Sequence, residues 1–154
     1  MSYDVNEMAA TSIDERLVGE LRERRLRVTP QRIVIHRTLC SEARHMTAEQ
    51  VLDSVSDVLP GTSLPTVYST LELLESLRLV RRVGTGNGAV VFDSRLEPHA
   101  HTVCRRCGAM ADLEGAAAPK DALTKASATG FVPDHAQLVV WGLCADCAAA
   151  DVLN

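Results

Sequence analysis

Two CxxC pairs, "CRRC" at 104–107 and "CADC" at 144–147, bracket residues 108–143 and constrain whatever folds between them. Pairs of this kind match a tetrahedral four-cysteine zinc site, in which four soft thiolates close the coordination sphere and leave no position for a substrate. Such a site ties the first strand of a small module to its last segment, with apparent binding energies on the order of 10 kcal/mol in zinc peptides. The rival reading of each pair is a redox dithiol. Cys104, Cys107, Cys144 and Cys147 are thus candidate ligands of one structural zinc per chain, and Cys40 reads as a core thiol. The opening "MSYDVNEMAATSIDE" is too acidic and polar for a signal peptide, and no run approaches a membrane span. The chain is therefore read as cytoplasmic, with no membrane partner, where thiols stay reduced and metal outranks disulfide.

The first pair lies inside "HAHTVCRRCG", which adds His99 and His101. In a strand, side chains at i and i+2 point the same way, so the two imidazoles form a clamp on one face. Asp93 and Asp112 could add oxygen, and a mixed nitrogen and oxygen shell suits Fe(II), Mn(II) or Zn(II). An HxH by itself is equally well two exposed strand histidines. His36 reads as a satisfied helix histidine, and His135 as a packed strand residue.

The chain is 46% hydrophobic but has one Trp, two Tyr and two Phe, so its core must be aliphatic. Residues 1–12 read as loose, and Ser12 with Glu15 has the spacing of a capping box that opens a helix carrying Leu17 and Leu21. Thr29 and Pro30 open a second helix, and Thr47 with Gln50 a third, with Val51, Val55, Val58 and Leu59 facing inward. After the turn "PGTS" comes an amphipathic helix burying Val67, Leu71, Leu74 and Leu77. "LVRRV" and "AVVFD" around "GTGNG" then form a hairpin. The last three of these helices with the hairpin make a winged helix-turn-helix order, in which the helix after the tight turn enters the major groove. The plain alternative is a small helical domain with a decorative hairpin.

Net charge is −4, yet between Arg16 and Arg44 eight arginines face three acids. Local charge sets where a phosphate backbone docks. Arg22, Arg24, Arg25, Arg27 and Arg32 are candidate phosphate contacts, with Ser63, Thr66 and Tyr68 on the helix that would face the bases. "SRLEP" at 94–98 reads as a joint between a DNA-binding domain (1–94) and an α/β domain (95–154). In the second, "HTVC", "AMADLE" and "AQLVVWGLC" are strand-like, and "PKDALTKASATG" is a helix from Pro119 to Gly130. The fold class is α+β: an N-terminal winged helix-turn-helix domain followed by a small α/β dimerisation domain with a four-cysteine zinc site. No HExxH and no nucleophile with a nearby base is present, which leaves the enzyme reading without a site. A zinc-stabilised dimerisation module without DNA affinity is a further alternative, opposed by the arginine block.

"LRVTPQR", "HMTAEQV", "PTVYSTLELLESLRLV", "FDSRLEPHAHTVCRRCG" and "GFVPDHAQLVVWGLCADC", in this order, resemble the ferric uptake regulator (Fur) family of bacterial metal-dependent repressors over about 16–148. The resemblance implies a homodimer on a palindromic operator of double-stranded DNA, with the C-terminal domain dimerising. It also implies a regulatory Fe(II) or Mn(II) held by His45, Asp93, His99, His101 and Asp112. Iron-responsive members usually carry Glu at the last position, and the Asp here is similar to the family's peroxide sensors. In those sensors Fe(II) and hydrogen peroxide oxidise a ligand histidine and repression is lost; His45 and His99 are the positions carried over. An iron-responsive or other metal-responsive repressor is the alternative. Pro98, Ala100 and Pro119 stand where many relatives hold a further metal, leaving only His135, and Ser69 replaces the usual basic residue after the recognition-helix tyrosine.

Overall fold

The computed structural model describes residues 5–41, 45–86, 88–116 and 120–152. The chain divides into two compact units, Met1–Gly84 with Ala89–Leu96, and Thr85–Gly88 with Glu97–Asn154.

The first unit runs α1 (Val5–Glu23), α2 (Pro30–Ser41), β1 (His45–Met46), α3 (Ala48–Val55), α4 (Leu64–Ser76), β2 (Arg81–Gly84) and β3 (Val90–Asp93). Its core is aliphatic, as the composition requires: Leu17 and Leu21 of α1, Ile35 and Leu39 of α2, Val51 and Val55 of α3, and Val67, Leu71 and Leu74 of α4 are fully buried around Phe92. Each such side chain contributes about 1.5–3 kcal/mol on burial, so this unit has the apolar mass to hold itself together.

Local chemistry starts and stops the helices. Thr29 Oγ1 accepts from the Arg32 amide at 3.4 Å at the head of α2. The capping box of α3 is closed by Thr47 N–H to Gln50 Oε1 at 2.8 Å and Gln50 N–H to Thr47 Oγ1 at 3.3 Å. Arg25 and Arg78 take left-handed backbone (φ 56° and 57°) just past the ends of α1 and α4, so one arginine of the basic block also terminates a helix. His36 is buried, its Nε2 3.6 Å from Cys40 Sγ. Burial pulls the imidazole down to about 4 and pushes the Cys40 thiol up, the properties of core groups rather than of a reactive pair.

Two expectations are corrected here. Helix α1 begins at Val5, so 5–12 is helical where a loose segment was expected, and Ser12 lies inside the helix instead of capping it. The helix-forming run Met8-Ala9-Ala10 keeps the chain helical ahead of Ser12; residues 1–4 lie outside the described residues. Val58 points outward at 67% exposure. Helix α3 ends at Val55, and the next turn tightens through Val58 N–H to Val55 O at 3.1 Å, which rotates Val58 off the apolar stripe.

The strands of the first unit pair antiparallel in the order β1-β3-β2. The hairpin β2–β3 was legible; the two-residue β1 beside it was not. Its register sets His45 opposite Asp93 and Met46 opposite Phe92.

The second unit has β4 (Ala100–Cys104), β5 (Met110–Leu113), α5 (Lys120–Ala128), β6 (Leu138–Gly142) and α6 (Ala145–Val152). Its sheet order is β5-β4-β6, with β4 and β5 antiparallel and β4 and β6 parallel, a pairing that needs a crossover, and α5 lies in that connection. Gly130 (φ 85°) follows α5 as expected, whereas Pro119 falls outside the described residues, as does Arg44 of the basic block. The Trp141 indole N–H donates to the Thr85 carbonyl at 2.9 Å. Gly86 (φ 78°) lies so close under that ring that a Cβ would meet Nε1 at 2.8 Å. His135 is exposed in irregular chain before β6, correcting its reading as a packed strand residue. No described helix is long and apolar enough to cross a membrane.

Candidate metal centres and nucleic-acid interface

The four cysteines of the second unit converge. Cys104 ends β4, Cys107 closes the turn after it, Cys144 follows β6 and Cys147 lies in α6, and their sulfurs all lie within 4.8 Å of one another. The turn is built for this: Gly108 N–H donates to the Cys104 carbonyl, and Cys104 N–H to the Ala109 carbonyl, each at 2.9 Å. Gly108 has φ 75°, a conformation that glycine adopts without strain. On the other side Arg105 N–H donates to the Gly142 carbonyl at 2.9 Å and the Arg106 guanidinium to the Cys147 carbonyl at 2.9 Å, fastening the first pair to the second. The Cys107 and Cys144 main-chain N–H groups draw the Cys104 thiol down to about 6. Cys147, hydrogen-bonded to Cys144 and crowded by the other sulfurs, is pushed up to about 12. Four thiols this close cannot all ionise alone; a tetrahedral dication resolves the conflict, and four sulfurs are the donor set that zinc takes.

Each unit also carries a histidine–carboxylate pair. In the first, Asp93 is fully buried at the end of β3, where the Arg95 main-chain N–H holds its Oδ1 at 2.8 Å, and His45 Nε2 stands 3.9 Å from that oxygen. In the second, the β4–β5 register sets His101 opposite Asp112. Asp112 Oδ1 lies 3.2 Å from His99 Nε2 and 3.9 Å from His101 Nε2, and the two rings are 4.3 Å apart. His99 Nδ1 is 2.7 Å from the Glu97 carbonyl, to which it donates. That bond turns Nε2 toward the Asp112 carboxylate, a nitrogen and oxygen pair suited to holding a cation. His99 precedes the first residue of β4, so the clamp is one strand residue and its neighbour rather than two strand residues.

The outward face of α4 carries Tyr68, 37% exposed, beside Ser69, with Thr66 half-buried. Ser63 is the N-cap residue, its hydroxyl 3.0 Å from the Thr66 hydroxyl. The Tyr68 phenol donates to Glu49 Oε1 at 3.2 Å. Glu49 was not singled out from sequence; nothing in its spacing tells that it reaches another helix. Arg22, Arg24, Arg25 and Arg27 are exposed and Arg32 is half-buried. Arg24 pairs with Glu20 at 3.6 Å and donates to the Ser76 carbonyl at 3.4 Å, Arg32 donates to the Arg27 carbonyl, and Arg37 pairs with Asp14. Arg82, also unforeseen, sits over the Phe92 ring at 5.5 Å and bridges Glu75 at 3.0 Å and Glu72 at 4.0 Å, which offsets the acids at the far end of α4.

A profile of the ferric uptake regulator family matches residues 23–141, spanning both units. The chain belongs to that family. Among its curated relatives is the transcriptional regulator FurA of Mycobacterium tuberculosis, 34% identical over 133 residues, with 86% of this chain and 90% of the relative covered. The peroxide-responsive repressor PerR of Staphylococcus epidermidis is 29% identical over 139 residues, covering 88% and 93%. A solved zinc uptake regulator, complexed with zinc and DNA, superposes with a TM-score of 0.67 at 25% identity, covering 97% of this chain and 99% of that one. Both FurA-type and PerR-type relatives are present, and the FurA match has the higher identity. These Fur-family relatives are regulators, in keeping with the non-enzymatic reading.

Proposed function

We propose that this Fur-family protein is a divalent-metal-responsive transcriptional repressor that binds a palindromic operator as a homodimer. The observation that carries the reading is the double histidine–carboxylate pairing: strand register puts His45 against Asp93 in the first unit and His101 against Asp112 in the second. His45, Asp93, His99, His101 and Asp112 would together hold one Fe(II) or Mn(II), a borderline-to-hard cation suited to nitrogen and oxygen. When bound, the cation supplies the positive charge that buried carboxylates and imidazole lone pairs need. Donors drawn from both units would favour one arrangement of the winged helices, and the shift is bounded by the difference in metal affinity between arrangements. Cys104, Cys107, Cys144 and Cys147 would hold a structural zinc. Dimerisation is supported by apolar surface left open in the second unit: Phe131, Val132, Val140 and Trp141 are exposed, and α5 buries no residue.

In this reading α4 enters the major groove with Thr66 and Tyr68 near base edges and Ser63 near the backbone, while Arg22, Arg24, Arg25, Arg27 and Arg32 meet phosphates. The zinc- and DNA-bound relative supports it. A gel shift on promoter fragments with and without Mn(II) tests the reading directly; identical binding in both arms counts against it. In the same assay Arg27→Ala with Arg32→Ala should lower the slope of log affinity against log salt by about 1–2, because each phosphate contact releases about one counterion. An unchanged slope removes these arginines from the docking face.

The comparisons favour plain metal response, since the FurA match exceeds the PerR match in identity. Peroxide sensing is the second reading, favoured by aspartate at Asp112, whose oxygen stands 3.2 Å from His99 Nε2. Its signature is one added oxygen on His45 or His99 by mass after low peroxide on the Fe(II) form, with Mn(II) protecting. Unmodified histidines and retained DNA binding leave the metal-responsive reading alone.

A further inference from the structure

Tyr68 is a large aromatic on the outward face of α4, and its phenol hydrogen is already committed. It donates to Glu49 Oε1 at 3.2 Å. Glu49 occupies the second position of α3, inside the Thr47/Gln50 capping box. Helix N-termini favour negative charge, and the Glu49 main-chain N–H and the Thr47 hydroxyl hold the carboxyl below its ordinary range. The group is therefore a carboxylate near neutral pH, and a carboxylate only accepts hydrogen bonds. The phenol must donate to it. What Tyr68 then presents outward is a ring edge and oxygen lone pairs.

That polarity has a consequence in a major groove. Adenine and cytosine expose amino donors there, thymine a methyl group, and guanine two acceptors, N7 and O6. A phenol whose hydrogen is held behind it accepts from an amino group or packs on a thymine methyl, and meets guanine acceptor to acceptor. The negative charge beside it also keeps the phenol oxygen away from phosphate oxygens. We infer that Glu49 is a positioning residue that fixes the hydrogen-bond polarity of Tyr68, and so sets a base preference against guanine at one position of each half-site. This rests on the reading that α4 enters the groove.

The test is selection from a randomised duplex library by the full-length, Mn(II)-loaded protein and its variants. The wild type should deplete guanine at one position per half-site. In Glu49→Gln the amide can donate to the phenol oxygen, which frees the phenol hydrogen to turn outward. Guanine should then rise about tenfold at that position, the scale of one lost base discrimination, with other positions unchanged. In a Tyr68→Phe background Glu49→Gln should be silent. A Glu49→Gln effect that persists without the phenol means that Glu49 acts on DNA itself, and overturns the inference. So does a uniform loss of affinity with base frequencies unchanged, the mark of a merely structural role. Identical preferences for wild type, Tyr68→Phe and Tyr68→Ala would instead remove α4 from the groove, a separate failure of the underlying reading.

Discussion

Replacing Cys107 with serine should strip the zinc and unfold residues 97–152 while leaving the winged helix folded. The second unit has little else to hold it. Among its described residues the fully or nearly buried apolar side chains are few, chiefly Ala100 and Val103 of β4, and α5 buries none. A module of this size rarely builds a sufficient core and leans on a metal instead. Zinc binding to a set of four cysteines is worth about 10–16 kcal/mol in small peptides, as large as the whole stability of an ordinary domain. The first unit has its own core, from Leu17 of α1 to Phe92 of β3, and should survive. Hydrogen exchange would read both outcomes at once: protection lost in β4, β5 and β6, and kept in α2 and α4. Metal analysis should fall from one zinc per chain to none. A zinc-free, dimeric Cys107→Ser protein with β4 still protected would show that the thiolates are dispensable, and would reopen the redox reading.

His45→Ala should have the opposite profile. Zinc, fold and dimer should persist, because His45 lies in the first unit, 12% exposed at the start of a two-residue strand, and belongs to no core cluster. Metal-dependent DNA binding should vanish. In the wild type Mn(II) should raise operator affinity by about 5–150-fold, the ordinary range of a coupling free energy, and in His45→Ala that ratio should collapse toward one. The change leaves Asp93 as the remaining first-unit donor beside His99, His101 and Asp112, so metal should still bind, more weakly, and one carboxylate should carry too little of the linkage to enhance DNA binding. Binding isotherms for Mn(II) with and without DNA measure the same coupling from the other side, and must agree by reciprocity. A His45→Ala protein with full Mn(II) enhancement would exclude His45 from the switch.

Much of this molecule was legible because its signals are local. A capping box spans four residues, so Thr47 and Gln50 announce α3 by themselves. The 3.6-residue period of Val67, Leu71 and Leu74 marks the buried stripe of α4 without any partner being known. Two CxxC pairs announce a four-thiol cluster because the spacing itself pairs the sulfurs, and the four do converge.

The failures were of another kind. Where a helix begins is a marginal balance of propensities, and Met8-Ala9-Ala10 tipped it past Ser12. Val58 kept helical spacing in the sequence, but the turn that followed α3 changed the period beneath it.

The chain by itself determined which donors exist: four sulfurs, the histidines and two aspartates, on an aliphatic winged helix with a basic flank. Tertiary structure decided which of them meet. His45 finds Asp93 only because β1 pairs with β3, and His101 finds Asp112 only through the register of β4 on β5. Tyr68 finds Glu49 only because α3 and α4 pack side by side. Strand register and helix packing are set by contacts between residues distant in sequence, where no local pattern carries the information. A slip of one residue in either strand pairing would turn its histidine to the opposite face.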